Sequence, residues 1–248
     1  MKFKYWAICL CFMALSSGLK AQNTVGEVEY RYRIFYDKIY ASMPFISQHE
    51  RDRIALSWNN PEGYSQRMRL QFWPDKTMYT FGEPYEVRSY SWRVEDYFVE
   101  NNLKDKTSLK YMDQLAKTYV VRDSLKTPKW RVMNEIREVL GHMCMKAVTE
   151  DTLKSQKITA WFAADIPVPA GPENLFGLPG LILAYDVNDG MLVVEAEKIE
   201  FGEPKDLIKL PKKLKGKEVS GEEYLSLKKD YIETSIEAER PWVWELRY

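Results

Sequence analysis

Nucleophilic catalysis needs a Ser or Cys beside a His, and this chain has only two histidines, His49 and His142. His142 stands two residues before Cys144, so on a β-strand both side chains project to one side. A thiol–imidazole pair is therefore geometrically possible. No glycine-rich elbow or oxyanion-hole motif accompanies it, and a lone buried cysteine packs as a small hydrophobe. Met143 and Met145 flank the cysteine but project to the opposite face, so a thiophilic metal site lacks further ligands. The sequence contains no Cys/His spacing of the zinc type, no P-loop and no dinucleotide fingerprint. Carboxylate pairs such as Glu95–Asp96 and Glu222–Glu223 are those of any charged chain. The structural reading of Cys144 and His142 is the preferred one. No catalytic, metal-binding or cofactor-binding residue is assigned, and a thiol enzyme or metal-handling protein using the pair stays as the lesser alternative.

Aromatic residues are the other candidates for contact with a ligand. They make up 14% of the chain, with 8 Trp and 16 Tyr. Trp58, Trp73, Trp92, Trp130 and Trp161 fall on expected strands; most belong to a core. If Trp58, Trp73, Trp92 and Trp161 instead line a concave face, they suit apolar, peptide or sugar-like ligands.

The 248 residues, 45% hydrophobic, suffice for one substantial core. Residues 1–21 read as a cleaved signal peptide. Lys2 and Lys4 precede the apolar run Trp6 to Leu15, and Ser16 to Ala21 forms a small-residue end. That run is too short to span a bilayer, and neither Cys9 nor Cys11 is placed for lipidation. Removal takes Lys2, Lys4 and Lys20 and no acid, so the formal charge moves from 36 − 36 = 0 to 33 − 36 = −3. This near-neutral balance gives no field for nucleic acid. It also leaves Cys144 as the single cysteine of 22–248, which is read as one domain.

Period-two alternation marks strands. Val28, Tyr30, Tyr32, Ile34 and Tyr36 make the first. Met43 to Trp58 reads as a short helix around His49 and Arg53, followed by Ile54–Trp58 entering the sheet. A turn at Asn59 to Gly63 precedes a hairpin of Arg67–Trp73 and Thr77–Phe81 about Pro74-Asp75-Lys76, and alternation continues through Tyr90 to Val99. Asn101 to Gln114 is polar and reads as a loop. Thr118–Asp123, Trp130–Glu135, Val139–Ala147, Ile158–Ala163, Leu181–Leu183 and Met191–Phe201 are further strands, with a hairpin turn at Asp186–Gly190. Lys209 to Lys217 is a basic linker, its Lys212–Lys217 run a solvated one. Ser220-Gly221-Glu222-Glu223 is a capping box, opening a helix whose face carries Tyr224, Leu225, Leu227, Tyr231, Ile232 and Ile236 up to about Arg240. Strands up to Phe201 with one helix after them predict a mainly β fold: a strongly curved antiparallel sheet forming an open barrel or bowl, with a C-terminal helix and linker over about 205–240.

Two glycines around Pro179 punctuate Gly177-Leu178-Pro179-Gly180-Leu181-Ile182. Pro179 presets φ for position i+1 of a type II turn and Gly180 supplies the left-handed i+2 residue, so the turn fixes where the next strand starts.

These residues resemble the GLPGLI family of secreted cell-envelope proteins from Bacteroidetes-type bacteria, named for the signature standing here at Gly177 to Ile182. Trp130 with Val132, Asn134 and Glu135, then Gly141, Cys144, Lys146 and Ala147, match further elements. So do Ala160-Trp161-Phe162, Ile166-Pro167 and Gly171-Pro172. His142 and Ala184 depart from the pattern, where Tyr and an acidic residue or Lys are frequent. The resemblance is close over 118–203 and loose over 25–98. It implies an envelope protein similar to accessory proteins of outer-membrane transport, and a fold similar to the bowl-like domain attached to some secreted glycosidases and to half-barrel lipoprotein carriers. The expected function is a non-enzymatic accessory or binding protein at the periplasm or the periplasmic face of the outer membrane, partnering an outer-membrane transporter or complex. The alternative is a periplasmic carrier holding an apolar, peptidic or glycan ligand in a β-bowl. The signature residues themselves (Cys144, Trp161, Pro167, Gly171, Pro172, Gly177, Leu178, Pro179, Gly180, Leu181 and Ile182) are expected to be structural.

Overall fold

The computed structural model describes residues 24–58, 60–83, 96–115 and 117–240. Residues 1–21, read from the sequence as a signal peptide, and Trp92 lie outside them. Six strands follow one another as a meander: β1 (Gly26–Ile34), β2 (Tyr64–Phe72), β3 (Lys76–Phe81), β4 (Tyr97–Asn102), β5 (Thr107–Gln114) and β6 (Lys117–Ser124). A second meander comprises β7 (Arg131–Val139), β8 (His142–Asp151), β9 (Gln156–Ala163), β10 (Leu181–Val187) and β11 (Leu192–Phe201). Antiparallel pairing of β1 with β11 joins them, and β12 (Lys217–Ser220) adds in parallel to β6. The result is one 12-stranded sheet in the order β12-β6-β5-β4-β3-β2-β1-β11-β10-β9-β8-β7. The sheet is open, as the alternation predicts.

Its curvature follows from chain length. β6 and β7 lie ten strand intervals apart, about 48 Å on a flat sheet at ~4.8 Å per strand. Only Leu125 to Trp130 joins them, and Ser124 to Arg131 spans at most about 25 Å fully extended. The sheet must roll up to bring its ends together.

The segment between β9 and β10 fills the space this leaves. Ile166, Val168, Ala170, Leu175 and Leu178 are buried in the same cluster as Tyr30, Phe72, Tyr79, Phe162 and Tyr185. Hydrogen bonds from Leu181 N to Ile166 O (3.0 Å) and from Ile182 N to Ala170 O (2.8 Å) tie the segment to its own strand. Tyr30 donates its hydroxyl to Ile182 O at 2.7 Å, and Trp130 Nε1 donates to Phe176 O at 2.9 Å. Trp130→Phe keeps an aromatic ring but removes that donor together with part of the indole packed on the core; a loss of at least about 1 kcal/mol in urea unfolding is expected. An unchanged midpoint would show that the bond is replaced.

The signature turn differs from the type II expectation. The left-handed residue is Gly177 (φ +90), while Gly180 is needed for space: a Cβ there would lie 2.1 Å from Ala163 O. The glycines have exchanged roles, one serving torsion and the other close approach.

Other differences have local causes. Ile54–Ser57 belongs to a helix, α2 (Gln48–Ser57), which follows the short α1 (Tyr36–Ala41). Ser47 Oγ accepts from Glu50 N at 3.2 Å, and this cap starts a helix that runs through the apolar residues, leaving Leu56 exposed. Asn101 to Gln114 is the end of β4 and all of β5, because β5 is paired on both sides (Glu100↔Leu109↔Arg122) and pairing overrides its polar composition. Leu140 and Gly141, with φ of 52 and 82, turn the chain between β7 and β8, so Val139–Ala147 is not one strand. The predicted turn before β11 holds, with Asn188, Asp189 and Gly190 all at positive φ. The basic linker is a strap crossing the first meander. Its backbone is held by Gln71, which accepts from Ile208 N at 2.9 Å and donates to Asp206 O at 2.6 Å, and by the Tyr111 hydroxyl at Lys215 O. It ends in β12, after which Ser220 caps α3 (Gly221–Glu237) by accepting from Glu223 N at 3.1 Å. None of the described helices is long and apolar enough to cross a membrane.

Candidate functional site

Cys144 and His142 engage different partners. Cys144 is fully buried and its Sγ donates to the backbone carbonyl of His142 at 3.6 Å. Burial, with the Asp165 charge adding to it and Arg137 opposing, pushes the thiol up to about 11. His142 Nδ1 is engaged instead by Asp165 Oδ2 at 2.7 Å. His49 is exposed on α2. No group of three or more His, Cys, Asp or Glu suited to a metal occurs among the described residues.

The tryptophans are dispersed. Trp58 ends α2 against Tyr36 and Tyr64, with ring centroids 5.1 and 5.6 Å apart. Trp73 follows β2, with Lys76 Nζ 4.7 Å from its ring and its Nε1 donating to Glu203 at 3.1 Å. Trp161 stands on β9. These three do not line a common concavity; the rings packed within the rolled sheet are the fully buried Tyr30, Tyr79, Tyr185, Phe72 and Phe162.

Trp161 sits in a charged cluster of the second meander. The Arg137 guanidinium lies 4.8 Å from its ring centroid and Lys146 Nζ 5.8 Å. Lys146 pairs with Glu135 at 2.8 Å, and Arg137 crosses β8, β9 and β10 to reach Glu195 on β11 at 3.4 Å. That crossing exceeds what the two side chains bridge on a flat sheet, so the strands bend sharply toward Trp161. The cluster fixes β7 from one side. On its other side no strand pairs with β7 among the described residues.

β7 is thus a nine-residue edge strand, and its outer surface is apolar in part. Val132 is 48% and Ile136 60% exposed, and on β8 Met143 is 59% exposed. Pairing of Ile136 with Met145 and of Glu138 with Met143 puts Ile136 and Met143 on one face. A register shift between Val132 and Ile136, with charges at Arg131, Glu135 and Glu138, restrains the edge from indiscriminate pairing. The sequence placed Val132 and Glu135 on a strand. It carries no signal that this strand is the sheet's end.

Comparison with known proteins gives a family match over one segment and a likeness of fold. No curated protein is similar in sequence. Among solved structures, PNGF-II in a P21 crystal form aligns at a TM-score of 0.54 with 19% identity, covering 82% of this chain and 33% of that one. The C2 form aligns at 0.50 with 18% identity, covering 73% and 28%. The chain spans about a third of the length of PNGF-II, and the likeness is one of fold. Residues 149–184, which include Trp161 and Gly177 to Ile182, match a family described as "Protein of unknown function (Porph_ging)". This protein carries the signature segment of the GLPGLI-related family of Bacteroidetes.

Proposed function

We propose that the chain is a non-enzymatic accessory protein of the cell envelope, exported by residues 1–21, that receives an extended segment of an outer-membrane protein along β7. The observation that carries this reading is the exposed edge. A row of backbone donors and acceptors is open to a further strand, and Val132, Ile136 and Met143 beside it offer apolar contacts. The burial of the concavity's aromatic rings against the protein's own 164–180 segment favours this over the carrier reading, which needs apolar space for a ligand.

The test is affinity capture from solubilised outer membranes with mature protein, wild type and the double variant Val132→Lys/Ile136→Lys. Both sites are exposed, so the variant should keep its circular dichroism and unfolding midpoint. Wild type should retain one outer-membrane protein stoichiometrically and the variant should lose at least tenfold of it. Equal capture by both, or none by wild type, would overturn the proposal.

A further inference from the structure

At the other end of the sheet, lysines from three separate elements line one small cavity. Lys110 comes from β5, Lys126 from the link between β6 and β7, and Lys228 from α3, around a space of about 170 Å³. A fourth, Lys154 of the β8–β9 turn, stands close by with its side chain 3% exposed and its Nζ 3.8 Å from Asp151. Four lysines bringing long, flexible side chains together is costly unless something holds their charge.

The acids present do not balance them. Lys126 pairs with Asp123 at 3.4 Å and Lys154 with Asp151. Glu173, 1% exposed, faces the group from the signature segment. The ion pairs described here include neither Lys110 nor Lys228, and the four lysines stand against three carboxylates, Asp123, Asp151 and Glu173, so the group carries one positive charge in excess when all are ionised. The amines respond accordingly. Burial first, then the charge of Lys228, lowers Lys110 to about 8 against the pull of Glu173 and Asp123. Lys154 is lowered to about 7, chiefly by burial, with Lys228 and Lys110 adding and Asp151 and Glu173 opposing. Lys228 is lowered by burial, with Asp151 and Glu173 opposing.

Ser108 and Asn174, joined by a 3.3 Å hydrogen bond, add hydroxyl and amide groups to the cavity wall. The cavity shares Ser108, Asp123, Lys126 and Gly221 with a cleft of about 740 Å³. The cleft is lined by Asn102, Thr107 and Ser124, and by Arg122, Glu100 and Glu222. Most of its lining side chains carry a hydroxyl, amide or charged group, and none is aromatic.

We infer that this cavity binds the acidic group of a small hydroxylated molecule, a carboxylate or a phosphate monoester, with the molecule's hydroxyl-bearing body in the adjoining cleft. The bound anion supplies the missing negative charge between Lys110 and Lys228. It also favours the protonated amines, so protons are taken up with the ligand as the pH passes about 7 and 8, where Lys154 and Lys110 lose them, and affinity falls as pH rises through and beyond that range. This site is independent of the β7 edge.

The experiment is calorimetric titration of the full mature chain with glucuronate, glucose 6-phosphate and glucose as probes, at pH 6.5 and 9. At least one acid should bind saturably at pH 6.5 and at least tenfold more weakly at pH 9, while glucose gives no saturable heat. Repeating the titration at pH 8 in buffers of different ionisation enthalpy should reveal proton uptake. Lys228→Gln, and separately Lys126→Ala at a side chain 68% exposed, should weaken binding at least fivefold with the fold retained. Failure of both acids to bind, equal binding of glucose, or unchanged affinity in both variants would overturn the assignment.

Discussion

Gly180→Ala is expected to destabilise the protein by several kcal/mol, beyond the ~1–3 kcal/mol typical of an overpacked core. The added Cβ would lie 2.1 Å from Ala163 O, 2.7 Å from Ala163 C and 2.9 Å from Ala164 Cα. All three atoms are backbone, at the point where β9 ends and β10 begins, so no rotamer change relieves the contact. Separating them strains the ladder that holds Leu181 against Ala163. Domain stability of about 5–15 kcal/mol leaves little margin for such a change. Gly177→Ala is the control. It carries a left-handed φ of +90, and its Cβ would meet mainly Thr127 Cγ2, at 2.4 Å, which belongs to a side chain. Its cost should be nearer the ~1–2 kcal/mol of a non-glycine residue in a left-handed conformation. Urea unfolding of the two variants decides the matter, and equal midpoints would refute the division of labour between the two glycines.

Alkylation of Cys144 by iodoacetamide at pH 8 should be at least a hundredfold slower in the native protein than in the urea-unfolded chain. The rise of its thiol from 9.0 to about 11 alone lowers the thiolate fraction about a hundredfold at that pH. Complete burial adds a barrier of its own, because reagent reaches the sulfur only when the sheet opens. Labelling should therefore follow stability: Gly180→Ala should accelerate it, while raising the pH from 7 to 9 in the wild type should leave native labelling slow. Native labelling within tenfold of the unfolded rate would mean an accessible thiol and would reopen the thiol-enzyme reading.

Much of the architecture was legible in the alternation of residues. Val28 and Tyr30, Met68 and Leu70, and Ala160 and Phe162 all occupy the core at period two. Ser220 caps its helix as its spacing to Glu223 predicts. What failed were segments where local composition and tertiary environment disagree. β5 reads as polar because it contributes Ser108 and Lys110 to a lysine-lined cavity. Ile54 to Ser57 reads as a strand by composition, but the Ser47–Glu50 cap starts a helix that runs through it. The lysine group could not be read at all. Lys110, Lys126, Lys154 and Lys228 are ordinary residues of four segments, and only the rolling of the sheet brings them together. Of the three described tryptophans marked for ligand contact, Trp161 falls beside the edge proposed for a partner.

The pairing of β1 with β11 has a consequence for how the chain is made. Tyr30 meets Ala196, so the first strand to emerge finds one of its neighbours only after nearly the whole second meander has been synthesised. β2 to β6 and β7 to β11 each join neighbours close in sequence and can form early, whereas the seam between the meanders and the strap crossing the first of them must wait. Until then one side of β1 stays bare. A chain threaded unfolded through a membrane would thus complete its fold only on the far side, after release of its C-terminal third.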